Sequence, residues 1–233
     1  MTKKEILDAI HGKMIISCQA VEGEPLYVEE KSIMYLMARA AKQAGTPAIR
    51  TSSIRDVIAI KEETGLPVIG LVKIQYPRYE GYITPTMKEV DDLVAAGSDV
   101  VALDCTLRKR GDGSTVNEFI AQIKEKYPDI ILMADISNYE EGINAWKCGV
   151  DIVGTTMSGY TDYTSKKDEP DYELMERLAK DTDIPIIGEG KIHYPDQAVK
   201  ALQTGVWAIV VGGAITRPLE IAQRFQKAIE NSK

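Results

Sequence analysis

Gln19, Arg50, Lys73, Asp104, Asp135, Thr155, Thr156 and Glu189 are polar or charged residues that each stand at the end of a short apolar run. Lys73 is the most informative of them. It lies in Gly70–Pro77, GLVKIQYP, directly after an apolar run that begins at Leu66. An ammonium there is costly to desolvate unless it snorkels to water or meets a partner. Gathered with other charges at a partly dry opening, it can lose its proton near neutrality and act as a base. Asp104 and Asp135 have a plainer alternative as helix N-caps, a role that glutamate fills less well, so Glu189 points more strongly to chemistry. A second set suits an anion: Gly190 and Lys191 in GEGKI, and Gly212, Gly213 and Arg217 in VVGGAITRP, where a glycine pair leads into a helix with Pro218 in its first turn. Exposed amides and a guanidinium in such a place favour phosphate.

The elements that must position these residues form a recurring unit: a helical stretch, a glycine or short polar stop, then an apolar strand. The unit is visible in AGTPAIR, TGLPVIGLVK, AGSDVVALD, CGVDIVGTT, DIPIIGEG and TGVWAIVVGG. Gly45, Gly65, Gly97, Gly149 and Gly205 each follow a helix-like segment, where a left-handed C-cap residue is needed. With KMIISCQ and DIILMADIS added, about eight strands alternate with helices over residues 1–233, the pattern of a single (β/α)8 TIM barrel. A doubly wound sheet also buries such strands on both faces and is the competing architecture. In a barrel the strand C-termini converge on one mouth, and the loops after strands seven and eight are the usual phosphate site. The longest irregular piece, Ser158–Pro170, is a polar loop of the kind that covers a site.

Composition excludes several functions. With 28 basic and 35 acidic residues the net charge is −7, which disfavours nucleic acid and anionic membrane as partners. Met1–Ile10 lacks the apolar core of a signal peptide and no run approaches membrane-spanning length, so the expected location is the cytoplasm. Cys18, Cys105 and Cys148 are too widely spaced for a zinc site, and only His11 and His193 could add imidazole ligands, so no metal is expected. No strand–GxGxxG–helix is present for a nicotinamide, and no cofactor is expected.

The segments ISCQA with EPL after it, AIR, GLVK, YITPTMKEV, ALDCTLRKR, MADIS, TTMSGYT, GEGKI and VVGGAITRP run in this order through the chain. Together they resemble the N-acetylmannosamine-6-phosphate 2-epimerases, also called N-acylglucosamine-6-phosphate 2-epimerases, of bacterial sialic acid catabolism. The resemblance implies a phosphate-binding (β/α)8 barrel, a phosphorylated amino sugar as substrate, and a homodimer. It implies Lys73 and Glu189 as the catalytic pair and Gln19, Arg50 and Asp135 as sugar contacts; Thr155, at the sixth strand end, joins that set by position. Two rivals stay open on the residues alone. A Schiff-base aldolase would use the same lysine as a nucleophile, and a phosphosugar-binding regulator would keep the glycines and Arg217 without needing Lys73 and Glu189.

Overall fold

The computed structural model describes residues 1–232. A first helix, α1 (Lys3–Ile10), precedes eight parallel strands: β1 (Met14–Ser17), β2 (Ile49–Ser52), β3 (Val68–Leu71), β4 (Val100–Asp104), β5 (Ile131–Asp135), β6 (Ile152–Gly154), β7 (Ile186–Glu189) and β8 (Ala208–Val211). The strands pair in chain order and close into a barrel. Closure is made by β8 lying against β1, Met14 opposite Ile209 and Ile16 opposite Val211, which rules out the open doubly wound sheet. Between the strands run α2 (Met34–Gln43), α3 (Ile54–Thr64), α4 (Met87–Ala95), α5 (Val116–Lys126), α6 (Tyr139–Lys147), α7 (Tyr172–Asp181) and α8 (Pro195–Gln203). After β8 come a four-residue helix, α9 (Gly213–Thr216), and then α10 (Pro218–Glu230).

Local chemistry sets the helix ends. Thr86 and Thr115 each accept a bond from the first turn while Glu89 and Glu118 reach back to the cap residue's own amide, closing capping boxes on α4 and α5. The expected glycine stops all adopt positive φ, between 64° at Gly65 and 90° at Gly45 and Gly205, so each helix turns into its strand where the sequence indicates.

Side chains alternate across each strand with period two. Ile15, Ile69, Leu71, Ile131, Met133 and Ile187 belong to one inner cluster that fills the barrel, and Ile6 and Ile10 of α1 join it from below. Their neighbours Ile16, Ile49, Val68, Leu132, Val153 and Ile209 pack outward against the helices. Each such side chain contributes roughly 1.5–3 kcal/mol by leaving water. The first and last segments also meet: Trp207 donates from its indole to the Leu7 carbonyl at 2.9 Å and stacks on His11 at 3.9 Å.

Three details differ from the reading of the sequence. Arg50 lies inside β2 rather than after it, because pairing with β3 continues through Ser52. Thr155 and Thr156 follow β6, which ends at Gly154. The chain after β3 folds back as a short ribbon in which Lys73 bridges Ile83 and the Ile74 amide donates to the Tyr82 carbonyl at 3.0 Å. Ile83 is thereby buried in the inner cluster, and the ribbon holds Lys73 over the barrel.

Gly70 sets how closely β3 approaches α4: a Cβ there would collide with Ser98 Oγ and stand 3.0 Å from Leu93 Cδ2. Gly70→Val is therefore expected to cost about 1–3 kcal/mol by overpacking. A thermal melt should fall by about 2–4 °C per kcal/mol for a chain of this length; an unchanged midpoint would show that the contact does not limit packing.

Candidate active site

The alternation that builds the barrel also selects the site. Continuing by twos from the inner residues, Ile15 leads to Ser17 and Gln19, Ala48 to Arg50, Leu71 to Lys73, Met133 to Asp135, Ile152 through Gly154 to Thr156, Ile187 to Glu189, and Val210 to Gly212. All of these point up the axis to the same mouth. A cavity of about 320 Å³ opens there, at the small end of the range for ligand pockets, roughly 300–1,000 Å³.

At its floor Arg50, 1% exposed, meets two carboxylates. It donates to Asp135 in fork geometry, Nη1 to Oδ1 at 3.0 Å and Nη2 to Oδ2 at 2.6 Å, and Nη1 also lies 3.1 Å from Glu189 Oε2. Burial opposes the charge of Arg50, but Asp135 and then Glu189 more than offset it, so its pKa is raised. Thr156 donates to Asp135 Oδ1 at 2.6 Å and stands 3.2 Å from Glu189 Oε2, tying the carboxylates together. Burial raises the Glu189 pKa against the pull of Arg50, and the Asp135 charge adds to the rise. Glu189 is thus a carboxyl suited to carrying a proton.

Lys73 is half-buried on the opposite wall, and among the described residues its ammonium has no hydrogen bond or ion pair. Burial first, then the positive charges of Arg217 and Arg50, lower its pKa to about 8, while Glu189 and Glu24 hold against the fall. A lysine so placed is neutral in appreciable fraction near physiological pH and can accept a proton.

The other end of the cavity gathers Gly190, Lys191, Gly212, Gly213 and Arg217. Gly190 sits at φ +107°, a backbone that a side chain would strain, and lets β7 turn sharply out of the barrel. Arg217 pairs with Glu24 at 2.9 Å and with Glu220 at 3.1 Å. The Lys191 ammonium donates to the Ser158 carbonyl at 3.0 Å and lies 4.8 Å over the Tyr160 ring, so it anchors the 158–170 loop at the rim.

Two residues expected to touch the ligand are placed elsewhere. Thr155 points outward by strand parity, is fully buried, and exchanges bonds with the Glu189 backbone at 2.8 and 3.0 Å. Asp135 is also fully buried and lies beneath Arg50 and Thr156 rather than on the cavity wall. Neither aspartate caps a helix: Thr115 caps α5 and Asn138 caps α6, while Asp104 pairs with Arg108 at 2.5 Å and accepts from Thr106. Gln19 lines the cavity and donates to Ser17 Oγ at 2.8 Å, while its buried Oε1 has no hydrogen-bond partner. Thr156, one of the strand-end residues, lines the wall, and so do Ser17, Tyr82, Ile83, Tyr160, His193 and Glu220, which the sequence does not mark as site residues. Counting by twos would have found Ser17 and preferred Thr156 to Thr155; the loop residues carry no such signal. Among the described residues no three His, Cys, Asp or Glu side chains are grouped to hold a metal ion.

Comparison with known proteins agrees with this geometry. The family model described as "Putative N-acetylmannosamine-6-phosphate epimerase" matches residues 34–231. A relative from Caldanaerobacter subterraneus subsp. tengcongensis, named as a 2-epimerase of that compound, is 52% identical over 98% of this chain and 96% of its own. One of the same name from Clostridioides difficile is 49% identical over 97% of this chain and 99% of its own. The solved N-acetylmannosamine-6-phosphate 2-epimerase of Clostridium perfringens superposes with a TM-score of 0.90 at 48% identity, covering 96% of each chain.

The environment of Lys73 has a direct readout. Competitive acetylation with acetic anhydride, followed by peptide mass spectrometry across a pH series, should give Lys73 a midpoint near 8. In Arg217→Ala, loss of a neighbouring positive charge should move that midpoint upward. A Lys73 that titrates with the surface lysines would contradict the assigned environment.

Proposed function

The chain belongs to the N-acetylmannosamine-6-phosphate epimerase family, and on that premise we propose that its barrel mouth interconverts N-acetyl-D-mannosamine 6-phosphate and N-acetyl-D-glucosamine 6-phosphate, an isomerisation at C2. The observation that carries the mechanism is the placement of Lys73: an unpaired ammonium of depressed pKa, across the cavity from a carboxyl of raised pKa.

C2 becomes acidic only when the sugar ring is open and C1 is an aldehyde, since its hydrogen is then α to a carbonyl. Glu189, held by Arg50 and Thr156, moves the hydroxyl proton that opens and recloses the ring. Neutral Lys73 removes the C2 proton. Charge then develops on the C1 oxygen, and the newly formed Lys73 ammonium stabilises it inside the cavity. Arg50 is already committed to Asp135 and Glu189, so its part is to orient Glu189 and set its proton affinity. Rotation about the C2–C3 bond of the open-chain enolate presents its other face to the Lys73 ammonium, which returns the proton and completes the epimerisation. The 6-phosphate, held by Arg217 with Gly190, Lys191, Gly212 and Gly213 around it, supplies remote binding energy that keeps C2 against the lysine.

A homodimer belongs to the same proposal. Helix α10 buries none of its residues, and Leu219, Phe225 and Ile229 are 48%, 69% and 55% exposed, an apolar stripe that a second copy can cover. No helix among the described residues is long and apolar enough to cross a membrane, and the three cysteines are unpaired thiols, features that support a cytoplasmic site of action.

Kinetics, isotope exchange, trapping and mass measurements test these assignments. Turnover in D2O should place deuterium at C2, because the three hydrogens of a lysine ammonium exchange with solvent; product free of deuterium near equilibrium would remove Lys73 as the base. Lys73→Met should lower kcat by about 10²–10⁴-fold, the range for general-base catalysis, and wild-type kcat/KM should fall as pH drops below about 8 because the base becomes protonated. Borohydride trapping of a substrate adduct on Lys73 would favour the aldolase reading instead. Light scattering should give twice the mass of one chain, and Phe225→Asp should yield monomers; a monomeric wild type would end the dimer assignment.

A further inference from the structure

The anion end of the cavity already contains an anion. Glu220, in the first turn of α10, places Oε1 3.1 Å from Arg217 Nη1. Its carboxylate lies so close to Gly213 that a Cβ built there would stand 3.0 Å from Cδ and collide with Oε2. The same carboxylate lines the cavity beside Lys191 and Gly212. It therefore stands among the residues assigned to the phosphate.

We propose that Glu220 is an internal competitor for the phosphate position, occupying it in the empty site, leaving as the ligand arrives and returning as the product departs; this rests on the reading that Arg217 and Gly213 receive the phosphate. A carboxylate and a phosphate dianion repel one another and cannot share one guanidinium edge at contact distance. Displacement is easy, because the Glu220 side chain is 38% exposed and its i,i+3 pair with Arg217 is of the weak surface kind. Glu24 pairs with the other nitrogen, Nη2, at 2.9 Å. Arg217 thus stays anchored on one side while its Nη1 edge passes from Glu220 to the ligand.

The arrangement suits this reaction. Substrate and product carry the same phosphate, so phosphate binding beyond what holds C2 against Lys73 would retain both equally without further speeding the step at C2. A tethered competitor trims that uniform binding and helps release.

Calorimetric titration of the intact enzyme with inorganic phosphate tests the proposal. Glu220→Gln should tighten phosphate binding about 1.5- to fivefold, the range for relief of one exposed charge contact, and KM for the phosphosugar should fall in parallel. Glu220→Asp, which draws the carboxylate back by one methylene, should tighten it less. Glu24→Gln should not tighten it, since that carboxylate holds the far edge of Arg217. A role in merely supporting the helix or orienting Arg217 predicts weaker binding in Glu220→Gln, and unchanged or weaker binding there overturns the proposal. Arg217→Ala separates the premise: if it leaves phosphate affinity unchanged, or if wild type binds no phosphate, the phosphate position itself is misassigned and the competitor role falls with it.

Discussion

Arg50, enclosed at the centre of the barrel between Asp135 and Glu189, is the interaction on which the site depends. One guanidinium faces two carboxylates, so the group as a whole retains negative charge in a place that burial makes unfavourable for it. Burial first, with the Asp135 charge adding to it, is why the Glu189 pKa rises although an arginine lies 3.1 Å away. Removing one member of such a group leaves the others buried and uncompensated, a loss of about 3–5 kcal/mol. The floor of the cavity is therefore both a structural element and the regulator of its proton carrier.

Lys73 obeys the opposite logic. It is the ammonium that received no partner, and burial first, then the charges of Arg217 and Arg50, make its charged form unfavourable. Arg217 acts on Lys73 most strongly among the charges, although its own partners are Glu24 and Glu220. Whatever anion sits on Arg217 therefore also bears on the base, which couples the two ends of one small cavity through charge alone.

Much of this was legible in the sequence for identifiable reasons. The glycines at 45, 65, 97, 149 and 205 announce helix ends because their backbone conformation admits little else, and the apolar runs announce strands buried on both faces. Once a barrel is inferred, its strand ends locate Lys73, Glu189 and the glycine pair that follows β8. Thr155 was preferred to Thr156 because strand ends were read as places rather than as faces; the alternation from Ile152 separates them. The resemblance implies Asp135 as a sugar contact, and the sequence does not show that Arg50 and Thr156 lie over it. The Lys73–Ile83 ribbon and the meeting of Glu220 with Gly213 arise from loops and a helix after the last strand, where no periodicity operates.

The β1–β8 seam has a consequence for how the chain matures. Met14–Ile16 pair with Ile209–Val211, and Thr216 donates across 199 residues of sequence to the Ser17 carbonyl at 2.7 Å. On a ribosome the first strand must wait with an unpaired edge until β8 has emerged, because its second neighbour is the eighth strand of the barrel. Such distant pairing is slow to form and leaves an open edge meanwhile. Ser17 and Gly212 face one another across that seam, Gly212 placed where a Cβ would lie 3.3 Å from Ser17 Cβ. The wall nearest the assigned phosphate position is thus the part of the barrel that closes last in chain order, and a nascent chain has no complete cavity until β8 has been made.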